Sequence, residues 1–363
     1  MPILTEGRFA SPQEQATFID WYTTDFFPRW TMRDFWARQP FKPPPGHSTD
    51  FVADLRRELK TAAAAAEKGQ REVYDCLTAT TLKEMSRLAK SQGKRYHPAT
   101  RLNATLMIGE LNVPEAIPAL LGLAGDAKMP EYVRVAAMVG LIRHANPGIR
   151  NSDTLGVSEP ATIQLSNPAK IEAATAALVA IAQQPAADVN HADGINWLRG
   201  QAAEVLGLLG SHGNNGSAVK ALVIMLLDAQ LPLAQRCRAA YALGRLNYDG
   251  VALPAGPCLN ALGGLARDAA NAYVTGSTSS RRLKGCVTDA LAGLRGADDE
   301  HTGVGALAKT EAAQAQRQAL LKLLAPLPDL IDKSSEEDLR PKVKEFLDAV
   351  TPLIKGSYTV RGT

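Results

Sequence analysis

After position 50, apolar residues recur every third or fourth position in blocks that end at clusters of Gly, Pro and Asn. This is the helical period, in which residues i, i+3, i+4 and i+7 share one face. The blocks predict a helix over 51–67, then helix pairs near 71–91 with 98–111, 114–124 with 130–145, 168–184 with 195–210, 217–228 with 232–247, and 257–274 with 281–295. A less regular end follows near 305–325 and 335–355. Strand-favouring aromatic and β-branched runs are scarce beyond the first 51 residues, so an all-α fold without a sheet is expected.

The blocks repeat. Shifting the chain by 102 positions lays the segment from Ala116 onto the segment from Ala218 without a gap, with identities at Ala119/Ala221, Leu120/Leu222, Asp126/Asp228, Pro130/Pro232, Arg134/Arg236, Ala137/Ala239 and Leu141/Leu243. Each unit reads as an apolar helix, a short turn with an Asp, a Pro at the start of a second helix, and that helix. Proline suits a helix start because the N–H it lacks has no helical partner there. The second helix carries a basic residue, a small residue three on, an aliphatic seven on and usually Gly or Ala eight on. Copies begin at Arg101, Arg134, Arg199 and Arg236, with a weaker one at Lys284. Glycines 109, 207 and 244 fall at the last position, where a missing side chain lets a neighbouring helix approach closely.

This pattern resembles the HEAT-repeat family over about Arg71 to Arg295. The resemblance implies an α-α superhelix, a HEAT-like solenoid of about five to six helix pairs, with stacked hairpins sharing one core. It also implies a ladder between successive repeats, formed by the turn Asp and the second-helix Arg, for which the matching residues are Asp126 with Arg134 and Asp228 with Arg236. The segments EGRFASPQEQATFIDWYTTDFFPRWT and HPATRLNATLMIGELN are similar to bacterial HEAT-repeat domain proteins, a group whose members are often exported. The start, MPILTEGRFASP, has no basic n-region followed by an apolar h-region, so no secretion signal is read there.

The first 51 residues stand outside the repeat and hold 11 of the chain's 20 aromatics. Two readings are open: a cap folded over the first repeat, or an arm that docks on a partner through Trp21, Phe26, Phe27, Trp30, Phe35 and Trp36. The stretch FKPPPGHSTD at 41–50 reads as a semi-rigid linker. The expected division is therefore an aromatic-rich cap or arm at 1–47, the solenoid at 48–297 and a helical cap and tail at 298–363. Residues 146–167 form a connection far longer than the usual ~2–8 residues between helices.

Composition narrows the function. A net charge of +3 is far short of what a dedicated phosphate-backbone binder carries. Residues 56–101 hold eleven basic and five acidic side chains, and 298–348 eleven acidic and seven basic. These ends read as solvated helix faces or as complementary contact surfaces. The longest apolar stretch, near Ala173 to Ala182, is about half the ~20 residues that span a bilayer.

Chemistry is not legible. Cys76, Cys237, Cys258 and Cys286 show no C-x-x-C spacing and read as small core residues. The six histidines never stand at i, i+4, and His191 with Asp193 is too small a set for zinc. No nucleophile elbow or Rossmann fingerprint is present, and GSHGNNGSAVK lacks the Walker ending. The expectation is a non-enzymatic protein-binding or self-assembling scaffold with no catalytic residues, metal or cofactor. Its partner is another protein or another copy of itself, in a possible head-to-tail homo-oligomer. A nucleic-acid-binding or a chromophore-lyase-like HEAT protein is the alternative; Trp197 is the only tryptophan in the array, which counts against the first.

Overall fold

Ser11 opens the first long helix because its hydroxyl accepts the Glu14 N–H, while the Glu14 carboxylate reaches back to the Ala10 N–H at 2.6 Å. The structure is a computed structural model. It describes residues 2–30, 51–91, 96–111, 113–145, 168–185, 192–298 and 300–354. Among these there is no strand. The chain divides into two compact units, Met1–Asn167 and Pro168–Thr363, whereas the repeat spacing treats 48–297 as one array. The stretch 146–167 and the linker at 41–50 lie outside the described residues.

The first unit begins with α1 (Pro2–Glu6) and α2 (Pro12–Trp21), a π-helical turn over Tyr22–Phe26, and α3 (Phe27–Trp30). The π turn falls just before Pro28, and the Phe27 N–H closes the wider ring onto the Tyr22 carbonyl. Pro28 has no N–H to continue the α ladder, which is where such bulges arise. Then come α4 (Phe51–Glu67), α5 (Glu72–Lys90), α6 (Pro98–Glu110), α7 (Ala116–Gly125) and α8 (Glu131–Ala145). Helices α5 and α6 form one antiparallel hairpin and α7 and α8 the next; α5 packs on α7 and α6 on α8.

The second unit repeats the scheme with α9 (Pro168–Ala182), α10 (Ala192–Leu209), α11 (Ser217–Leu227), α12 (Leu233–Leu243), α13 (Ala255–Val274) and α14 (Ser280–Arg295). First helices α9, α11 and α13 pack in succession, second helices α10, α12 and α14 likewise, and each first helix packs on its own second. The end of the chain adds α15 (Glu311–Leu324), α16 (Leu327–Lys333) and α17 (Glu336–Val350), with α15 and α17 against α13 and α16 against α14.

The glycines sit where the small-residue pattern places them. A Cβ on Gly109 would come within 2.7 Å of the Gly140 Cα, and one on Gly207 within 2.8 Å of the Ala242 Cα. On Gly244, which is buried, it would meet the Ala292 carbonyl oxygen. The turn prolines differ slightly from expectation. Pro130 and Pro232 stand one residue ahead of α8 and α12, and their carbonyls accept the first helical N–H bonds from Arg134 and Arg236 at 3.2 Å.

Candidate functional site

Four of the repeat arginines do one job. Arg101, Arg134, Arg199 and Arg236 are each buried, at 5–7% exposure. Each turns its Nε–H onto a carbonyl in the last turn of its own hairpin's first helix: Ala89 at 3.3 Å, Ala124 at 2.9 Å, Ala182 at 3.0 Å and Leu226 at 2.9 Å. The last carbonyls of a helix have no partner within it and carry the negative end of its dipole, so a cation there both satisfies and stabilises them. Arg317 on α15 does the same to the Leu294 carbonyl of α14 at 3.0 Å. Lys284, the weak fifth copy, does not share the role and instead bonds Asp332 from an exposed position.

With Nε so engaged, the Nη end points away from its own hairpin and the ladder connects differently from expectation. Asp228 pairs with Arg199, the arginine of the preceding hairpin, at 2.8 Å. Arg236 pairs with Asp268 on the following first helix at 2.7 Å. The expected Asp228 with Arg236 pairing is corrected accordingly: Arg199 and Arg236 each cap their own hairpin and reach forward to the next. Asp126 keeps an electrostatic link to Arg134, whose pKa is lowered by burial against the opposing pull of Asp126 and Glu131. Both turn aspartates also fold the turn itself, accepting the Lys128 N–H at 2.8 Å and the Gln230 N–H at 3.0 Å. Asp268 carried no signal in the sequence, because it lies inside a helix and not in a turn.

The aromatic segment is placed inside the first unit. Phe18, Tyr22, Phe26 and Phe27 are 0–5% exposed, and their rings stack in tilted or edge contacts 4.8–5.7 Å apart together with Trp21. The Tyr22 hydroxyl, on the π turn, donates to the Glu58 carboxylate of α4. Burial, then the neighbouring Glu58 charge, pushes the Tyr22 hydroxyl far above its ordinary pKa. Burial likewise raises the Glu58 carboxyl, with Tyr22's hydrogen bond working against it. Phe26 and Phe27 are thus core residues of their own unit and, so packed, present no face to a partner. Trp21 is half-buried. Phe35 and Trp36, and the side chain of Trp30, lie outside the described residues.

A second buried polar group lies at the far end of α6. Glu110 takes a bidentate pair from Arg56 of α4, with Nε to Oε2 at 2.6 Å, and Arg143 of α8 stands 3.8 Å away. Other members of the basic 56–101 region are also engaged locally: Arg57 with Asp54, Arg71 with Asp75 and Arg87 with Glu84. His144 is buried, and burial lowers its pKa to about 4 against a hydrogen bond to the Ile108 carbonyl.

In the second unit a groove of about 840 Å³ opens between Leu253 to Gly256 at the start of α13 and the alanine face of α15. Its polar floor is internally bonded, Gln316 Nε2 donating to Asn260 Oδ1 at 2.6 Å and to the Leu353 carbonyl at 2.9 Å. Among the described residues no three of His, Cys, Asp and Glu converge as metal ligands, and no helix is long and apolar enough to cross a membrane. Comparison of the chain with family models, curated proteins and solved structures found no match.

Proposed function

We propose that this chain is a HEAT-type helical-repeat scaffold that binds another protein or another copy of itself and carries out no chemistry of its own. The observation that carries the reading is the use to which its buried polar groups are put. Arg101, Arg134, Arg199 and Arg236 all close helix ends, and Asp228 and Asp268 tie one hairpin to the next. Polar groups spent on helix ends and hairpin joints build a repeating support, and such supports act through the extended surfaces they display. The modest charge and the internal pairing of the basic helices weigh against a nucleic-acid role.

The test combines three measurements on the full chain. Mass in solution across a concentration series, together with tagged capture from the native source and reciprocal capture by the partner found, should yield either a self-assembly or one stoichiometric protein complex. Duplex binding that weakens steeply with salt would replace the scaffold by a nucleic-acid protein. A visible absorbance band gained on incubation with a bilin would replace it by a chromophore-handling one.

A further inference from the structure

Helices α12 and α14 meet along a seam of very small residues. Gly244 faces the Ala292 carbonyl, and a Cβ on Gly293 would lie 2.9 Å from the Ala240 carbonyl oxygen, so no side chain holds the two backbones apart. Seven residues before Gly244 stands Cys237, and seven before Gly293 stands Cys286. Seven residues are two helical turns, so both cysteines face along the same seam. Their sulfurs are in contact, 2.6 Å apart, and both side chains are buried, at 6% and 2% exposure. Close backbones with facing Cβ atoms are the arrangement a disulfide requires.

We propose that Cys237 and Cys286 form a dithiol that closes to a disulfide and clasps α12 to α14, with a low-molecular-mass disulfide such as oxidised glutathione as the oxidant.

The surroundings assign the roles. Cys286 accepts the S–H of Cys237, and this lowers its thiol pKa against the opposing effect of burial; Arg282 and Arg236 act in the same direction and Asp289 against it. Cys237 is pushed the other way, by the same hydrogen bond and then by burial. A thiolate is the attacking species in exchange. Cys286 therefore attacks one sulfur of oxidised glutathione, forming a mixed disulfide and expelling one glutathione thiolate. Cys237 then attacks the Cys286 sulfur, forming the protein disulfide and expelling the second. Two electrons pass from the cysteine pair to glutathione, and the two thiol protons finish on the two glutathione thiols. Exchange reaches these buried sulfurs through local opening or during folding. Cys258, whose thiol burial pushes up to about 12, and Cys76, raised by burial, serve as internal controls.

Closing the chain between 237 and 286 shrinks the unfolded ensemble and fixes the joint between two successive hairpins. The experiment refolds the full chain from denaturant in reduced or in oxidised glutathione, counts free thiols, maps the linked peptides by mass, and records melting. In the oxidised sample the thiol count should fall from the chain's four by two, the map should join Cys237 to Cys286, and the melting temperature should rise by several degrees and return on reduction. Cys286→Ala should melt at one temperature in both buffers. Four thiols retained after oxidised refolding would overturn the proposal, as would a link to Cys76 or Cys258 or a glutathione adduct that persists on Cys286. The peptide map is read on the unaltered chain, so it decides even if the variant does not fold.

Discussion

Arg199 reaches forward from α10 to Asp228 in the turn of the next hairpin, Nη2 to Oδ2 at 2.8 Å, while its Nε holds the last-turn carbonyl of Ala182 behind it. One guanidinium thus joins three elements. Breaking the forward contact leaves a charge that is 8% exposed facing a lost partner that was 26% exposed. Asp228→Ala is expected to lower the stability of the second unit by about 1.5–3 kcal/mol, the range for a hydrogen bond to a charged group. A double-mutant cycle distinguishes this pairing from the turn-internal one: Arg199 with Asp228 should show coupling well above ~0.5 kcal/mol, and Arg236 with Asp228 should be close to additive. The reverse result in urea melts would discard the forward ladder.

Two glycines separate packing from helix propensity. A methyl group at Gly244 would strike the Ala292 carbonyl, whereas nothing lies within 4 Å of a Cβ on Gly285 in the middle of α14. Gly244→Ala should therefore cost about 1–3 kcal/mol through overpacking. Gly285→Ala should stabilise by about 0.5–1 kcal/mol, the usual gain when glycine leaves an exposed helix interior. Equal effects of the two substitutions on the denaturation midpoint would mean that the α12 to α14 approach is not close.

The N-terminal segment should behave as part of the first unit. Phe27 is fully buried, and Phe27→Ala is expected to cost about 3–5 kcal/mol. Deleting residues 1–30 should lower the melting temperature and bare the surfaces of α4 and α5 that α1 and the π turn cover. Unchanged melting after either alteration would return Phe26 and Phe27 to the role of partner contacts.

Acid should loosen the first unit through His144. Its pKa when folded is lowered by burial to about 4 from 6.5, so the folded state resists protonation. The contribution is complete above pH 6.5 and lost as pH falls from 6.5 to 4, amounting to about 3 kcal/mol at most. His144→Gln should flatten that part of the stability profile. In the second unit Asp289 has the opposite sign, since burial raises its carboxyl from 3.8 to about 6. Its contribution is present below pH 3.8 and lost as pH rises through 6, so Asp289→Asn should stabilise at neutral pH. Stability profiles of the two variants that share one slope with the parent would refute both assignments.

Much of the fold is determined by the sequence acting locally. The 3.6-residue period, Ser11 with Glu14, His97 before Pro98, and the Asp and Pro of the hairpin turns all act within about one helical turn, so the helix at 51–67 and all five hairpins stand within a few residues of where the spacing predicts them. The small-residue pattern likewise marked Gly109, Gly207 and Gly244 as contact points, because a glycine's want of a side chain is a property of the residue itself. Partner choice was decided only in three dimensions. Asp228 is eight residues from Arg236 and twenty-nine from Arg199, yet it bonds the distant one, because the near arginine's Nε is committed to the Leu226 carbonyl and its Nη end faces onward to Asp268. The fate of the aromatic segment was decided by packing, which buries Phe18, Tyr22, Phe26 and Phe27 together, and by the Glu58 carboxylate that receives Tyr22. Cys237 and Cys286 read as two ordinary small residues 49 positions apart, and only the packing of α12 on α14 brings their sulfurs together. Local order follows from short-range sterics and hydrogen bonds that a linear pattern records, whereas pairing across helices depends on which side chains are left unsatisfied once the hairpins stack.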